Sequence, residues 1–251
     1  MRMKLEICVD SVASAIAAEQ GGADRIELCS ALSEDGITPS LGMIRTVRAK
    51  VRLSVNVIIR PRGGDFVYDD DEFAVMREDI RQARTAGCDG LVLGLLTADG
   101  HIDCARTRQL IEEAAPLPVT FHRAFDMVVD PFSALEEVIA CGAKRILTSG
   151  GCPTALEGVE QLARLQKQAA GRVRLMAGGG VRQHNLGKIV AQTGITELHT
   201  SLAKSLPSQA AETAGKAIPV LPRKLVDTEA VRRFREEFVR VVERGDAVLV
   251  Q

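Results

Sequence analysis

Short apolar runs alternate with amphipathic stretches along most of the chain. Leu5–Val9, Arg25–Cys29, Leu53–Arg60, Gly90–Leu96, Pro118–His122, Arg145–Ser149, Val173–Gly178 and Thr196–Ser201 are short, largely aliphatic runs and predict eight strands. Between them, Ser11–Gln20, Leu41–Lys50, Asp70–Thr85, Cys104–Ala115, Pro131–Cys141, Thr154–Ala169 and Arg182–Gln192 carry helical patterning, and Val231–Glu243 predicts a last helix. Gly21-Gly22 supplies a stop for the first helix, and Pro131 suits a first helical turn. Leu91–Leu96 is apolar throughout rather than alternating, the pattern of a strand covered on both faces in a parallel sheet. Eight strand–helix units in 251 residues predict an α/β fold, a closed parallel (β/α)8 TIM-barrel-like domain. An open doubly wound sheet is the alternative. No linker interrupts the pattern, so a single domain over residues 1–251 is expected. Residues 202–228, with Pro207, Pro219 and Pro222, break it and read as a long eighth loop.

Composition narrows the function classes. Apolar residues make up 46% and charged residues 26%, which excludes a disordered chain. A net charge of −1 without a basic block gives no reason to expect nucleic acid or a membrane surface as partner. The one Tyr and absent Trp also speak against a base-stacking platform. Six scattered cysteines without a CxxC read as reduced thiols. The amino terminus runs straight into a strand without an apolar signal region, so a cytoplasmic location is expected.

In such barrels, chemistry gathers at the C-terminal strand ends. The polar residues predicted there are Glu6, Cys8, Glu27, Cys29, Arg60, Arg62, Asp65, His122, Arg123, Asp126, Ser149, Gly178, Gly179 and His199. Period two places Glu6 with Cys8, Glu27 with Cys29, and Glu197 with His199 and Ser201 on shared faces. If those faces point inward, acids, thiols and imidazoles meet in one space. An ion-paired floor, with Arg60 or Arg62 answering Glu27, explains the glutamates equally well.

Gly178-Gly179-Gly180 leaves backbone N–H groups able to approach an anion, or merely makes a tight turn. Arg60, Arg62 and Arg123, with Asp65, Ser149 and His199 nearby, favour a small phosphorylated or carboxylated metabolite. On that reading Glu27, His122 and Asp126 are the acid–base candidates, and Glu27, His122 and His199 a weaker divalent-ion set. No Lys stands at a strand end for a Schiff base, and no GxSxG marks a serine hydrolase. Cys8 and Cys29 fall on consecutive strands at similar heights. Two thiols so placed suit a soft ion such as Cu(I), or are simply small buried hydrophobes.

Several longer motifs stand in order along the chain. They include Leu5-Glu6-Ile7-Cys8, Gly22-Ala23-Asp24-Arg25-Ile26-Glu27-Leu28-Cys29, Ile59-Arg60-Pro61-Arg62-Gly63-Gly64-Asp65-Phe66 and Thr120-Phe121-His122-Arg123-Ala124-Phe125-Asp126. Ile146-Leu147-Thr148-Ser149-Gly150-Gly151, Met176-Ala177-Gly178-Gly179-Gly180-Val181 and Glu197-Leu198-His199-Thr200-Ser201 continue the series. Together they resemble the CutC copper-homeostasis proteins. The resemblance implies a barrel fold, a cytoplasmic homo-oligomer such as a dimer, and Cu(I) binding by cysteines at the barrel mouth, here Cys8 and Cys29. A barrel enzyme acting on a small anionic metabolite is the alternative function.

Overall fold

The computed structural model describes residues 3–206 and 223–248. Eight parallel strands close into a barrel in sequence order: β1 (Lys4–Val9), β2 (Arg25–Leu28), β3 (Ser54–Ile58), β4 (Gly90–Leu93), β5 (Val119–Phe121), β6 (Arg145–Thr148), β7 (Arg174–Ala177) and β8 (Glu197–Thr200). Pairing of β1 with β8, Glu6 opposite His199, shuts the ring. The helices α1 (Val12–Gln20), α2 (Leu41–Lys50), α3 (Asp70–Thr85), α4 (Cys104–Ala114), α5 (Pro131–Cys141), α6 (Val159–Ala169) and α7 (Leu186–Thr193) follow the strands in turn. This is the predicted (β/α)8 barrel, not the open sheet.

The period-two logic splits each strand between two environments. Outward residues such as Leu5, Ile7, Val9, Ile26, Leu28, Val55 and Val57 join the helices in one large apolar core. Inward residues are largely polar, and the small cluster Cys8, Cys29, Ile58 and Val92 is a separate apolar patch inside the ring. Local signals set the helix starts. Ser11 and Ser40 cap α1 and α2, and Asp69 with Glu72 forms a capping box on α3.

The structure differs from the sequence expectation at several boundaries: α7 begins at Leu186, not Arg182, and the last helix runs Thr228–Val248, not Val231–Glu243. Helix α6 begins at Val159, not Thr154. The intervening turn folds back so closely that a Cβ on Gly158 would lie 2.0 Å from the Ser149 carbonyl oxygen. Residues 202–228 are not loop throughout. The strands β9 (Ala203–Leu206) and β10 (Arg223–Val226) pair as an antiparallel ribbon, and α8 (Thr228–Val248) begins directly after it. Pro207, Pro219 and Pro222 lie outside the described residues. Among the described residues no helix is long and apolar enough to cross a membrane.

Candidate functional site

Parallel register builds the site in rows. One row sets His199, Glu6 and Arg25 side by side on β8, β1 and β2; the next sets Cys8 beside Glu27. The lower row is a buried charge network. Arg25 pairs with Glu6 and, at 3.2 Å, with Glu197, while Arg145 pairs with Glu197 from the other side. His199 Nδ1 lies 2.8 Å from Glu6 Oε1. An ion-paired floor therefore exists, but Arg25 and Arg145 build it, not Arg60 or Arg62. Arg25 shares the inward phase of Glu27, which period two makes readable.

Directly above the floor, Cys8 Sγ lies 3.6 Å from Cys29 Sγ. His199 Nε2 is 3.8 Å from Glu27. One ligand atom from each of Cys8, Glu27 and His199 falls within 4.8 Å of the others. Cys29 is not part of that three-residue set, and its Sγ bonds to the Val9 carbonyl at 3.4 Å. Cys8 is 8% exposed and lines the cavity above; Cys29 is fully buried behind it.

Electrostatics fix the protons. The neighbouring Cys29 thiol, then burial and the Glu27 carboxylate, push the Cys8 thiol well above its ordinary range. Burial alone would raise Glu6, but Arg25 and His199 outweigh it and hold Glu6 well below the usual carboxylate range. Burial pushes Glu27 up, opposed by His199. Burial also works against a charged His199, yet Glu27, Cys8 and Glu6 together push it well above 6.5. At neutral pH the cluster thus holds an imidazolium, the Glu6 carboxylate and a thiol.

A cavity of about 430 Å³ opens above this cluster at the C-terminal strand ends. It brings together Cys8, Glu27, Arg60, His122, Arg123, Asp126, Gly179 and His199 of the predicted set, and adds Asp35 and Arg182. Arg182 stands two residues after the glycine run, and its place in the sequence pattern reads as the start of a helix. His122 is 4% exposed, and its Nδ1 accepts from the Ala124 backbone N–H at 3.2 Å. That bond leaves the proton of the neutral ring on Nε2, which is buried and has no partner among the described residues. Burial, helped by the Arg60 charge, drives the His122 pKa down to about 3.

Other predicted residues have structural positions. Arg62 pairs with Glu72 and Asp65, lies over the Tyr68 ring and does not line the cavity, nor does Asp65. Both are tied to the start of α3. Asp126 accepts from Arg123 Nε at 2.8 Å, Ser149 Oγ at 2.9 Å, the Ser149 and Gly151 backbone N–H groups, and Thr148. Its oxygens are saturated, which suits a fixed anion clamping the β6 loop and not a proton carrier. The same bonds commit Ser149. Gly178 donates its N–H to the Thr148 carbonyl at 3.0 Å, so it offers nothing to an anion. A Cβ there would meet Leu147 Cδ1 at 2.5 Å, so close packing inside the barrel explains this glycine. Cys88, Cys104, Cys141 and Cys152 are free and stand apart from this cluster.

Comparison with known proteins gives this arrangement a lineage. Residues 3–204 match the CutC family model. A human protein named copper homeostasis protein cutC homolog is 55% identical over 197 residues, covering 78% of this chain and 72% of its own length. A CutC family protein of Chromobacterium violaceum is 52% identical over 197 residues, with 78% and 80% coverage. A solved CutC structure from Streptococcus agalactiae superposes with a TM-score of 0.75 at 35% identity, covering 80% of this chain and 99% of that one. The matched segment carries every residue of the thiol–imidazole cluster and of the cavity wall. The chain belongs to the CutC family.

Proposed function

We propose that this chain is a copper-homeostasis protein that binds Cu(I) at the base of its barrel mouth, through Cys8 and Cys29 with His199 and Glu27 beside them. The observation that carries this reading is the 3.6 Å thiol pair with Cys8 facing the cavity. Thiolates are the ligands that a soft monovalent ion selects, and imidazole suits copper as well. Family membership supports the copper role, since the human relative is named for copper homeostasis.

The electrostatics give the binding step a direction. The Cys8 thiol must lose its proton to bind, and its raised pKa makes this costly near neutrality. The imidazolium of His199 must also release a proton before its Nε2 can ligate. Loading therefore expels protons, and apparent affinity rises with pH. Glu6 holds His199 by Nδ1, so Nε2 is the nitrogen turned toward Cys8 and Glu27.

Anaerobic titration against a Cu(I) chelator of known affinity tests the reading. The wild type should compete, more tightly at pH 8 than at pH 6. Cys8→Ser/Cys29→Ser should lose at least about 100-fold in affinity, more than removal of outer-shell partners usually costs. Equal affinity in the wild type and the folded double variant would refute the site.

A further inference from the structure

We infer that the cavity above the thiol pair is a binding site for a small oxyanion, a carboxylate or phosphate group, held between Arg60 and His122. This goes beyond copper binding and does not depend on it.

The first observation is an uncompensated buried cation. Arg60 is 3% exposed, and its guanidinium bonds only to backbone carbonyls, those of Glu34, Gly36 and Gly64. Among the described residues no carboxylate pairs with it, and its buried Nε–H has no acceptor. A buried charge without a counter-ion is costly, and proteins that keep one generally answer it with an anion. The three carbonyls fix the fork in place and leave the Nε–H and one Nη2–H as the remaining donors.

The second observation is independent. His122 Nε2–H is also buried without an acceptor, on another strand end lining the same cavity. Its Nδ1 is occupied by the Ala124 N–H, so the ring offers the cavity a donor. Two orphaned donors on residues that line one cavity are what an oxyanion would satisfy.

Phe66 explains why neither donor is wet. Its ring centroid lies 4.8 Å from that of His122 and 5.0 Å from the Arg60 guanidinium carbon. The ring stands on the loop between β3 and α3, and it must move aside for an anion to reach the two donors. The rest of the wall mixes arginines, Arg123 and Arg182, with acids. Arg123 is committed to Asp126, whereas the Arg182 guanidinium has only the Val181 carbonyl and the Thr200 hydroxyl as partners among the described residues. Three acids share the wall: Asp126 is already saturated by hydrogen bonds, Glu27 lies at the base beside His199, and Asp35 lies on the loop after β2. A volume of about 430 Å³, with Leu32, Ile58 and Leu147 in the wall, admits a metabolite with one charged head and a small apolar body.

The test uses metal-free full-length chain labelled with [15N]histidine, titrated at constant ionic strength with inorganic phosphate and, separately, with acetate. The chain has four histidines, and His122→Asn assigns the His122 ring signals. A saturable shift of the His122 Nε2 signal with either anion is expected, phosphate alone or acetate alone naming the class of head group. Arg60→Gln should weaken that binding about tenfold, as loss of a charge-assisted partner does. Because Arg60 also ties down two loops, Arg182→Gln is the second variant; its exposed charge should contribute about threefold through the field at the mouth. Signals of His122 that stay fixed with both anions would overturn the inference. So would a shift that survives undiminished in both variants. Neither result bears on the Cu(I) titration, so the two proposals fail separately.

Discussion

His122 shows how burial sets chemistry at a single residue. With its pKa pushed down to about 3, the folded chain holds the ring neutral, whereas an unfolded histidine titrates near about 6.5. The folded pKa is the lower one, so the stabilisation is complete above the unfolded value. It is lost as pH falls from about 6.5 toward the folded value of about 3, because the unfolded chain gains a proton first. Lowering the pH from 7 to 5 should therefore cost the wild type about 2 kcal/mol more than His122→Asn, which has nothing to titrate there. Urea unfolding of both chains at each pH measures it, and parallel losses would show that the ring is not held neutral. Glu6 works in the same direction at lower pH, since its carboxylate is stabilised by Arg25. His199 works oppositely: its raised pKa stabilises the fold below about 6.5, and that part is lost as pH rises through the folded value.

Among the elements, β1, β2 and β8 decide the site, because their inward positions interlock. Glu6 is fully buried between Arg25 and His199, and Glu197 lies between Arg25 and Arg145. Arg25→Met would leave both glutamates short of a cation in a closed space. It should destabilise the chain by about 3–5 kcal/mol, measured by thermal or urea unfolding. A loss below about 1 kcal/mol, the scale of an exposed pair, would show the floor to be solvated. Much of this scale is legible in sequence. Continuous apolar runs and glycine stops place the strands, and period two puts Glu6 with Cys8 and Glu27 with Cys29. What period two does not give is the partner across the ring. That depends on register and strand order, so Arg25 and Arg145 read as mere strand starts while Arg60 and Arg62 looked like the better answers to Glu27. The turn before α6 is hidden for a similar reason. Thr154 and the residues after it have helical composition, and only the seating of Gly158 on the Ser149 carbonyl delays the helix.

At the scale of the whole molecule, closure of the barrel turns distant motifs into one wall. Cys8, Arg60, His122 and His199 come from four strand ends that sequence separation conceals, yet they border one cavity. A rule that chemistry collects at the C-terminal ends of barrel strands finds these residues. It also gathers Arg62, Asp65, Ser149 and Gly178, because it cannot tell a side chain facing the mouth from one spent on a helix start or a loop clamp. The result is a two-level arrangement, with Cys8, Glu27 and His199 at the base and a wall above it that carries arginines and acids alike. The central claim is that the base holds Cu(I) on both thiols. Copper K-edge X-ray absorption of the anaerobically loaded chain tests it most directly. The account predicts two sulfur scatterers in the first shell of the wild type, falling to none in Cys8→Ser/Cys29→Ser. A first shell of nitrogen and oxygen alone in the wild type, or sulfur scattering retained in the double variant, would contradict it.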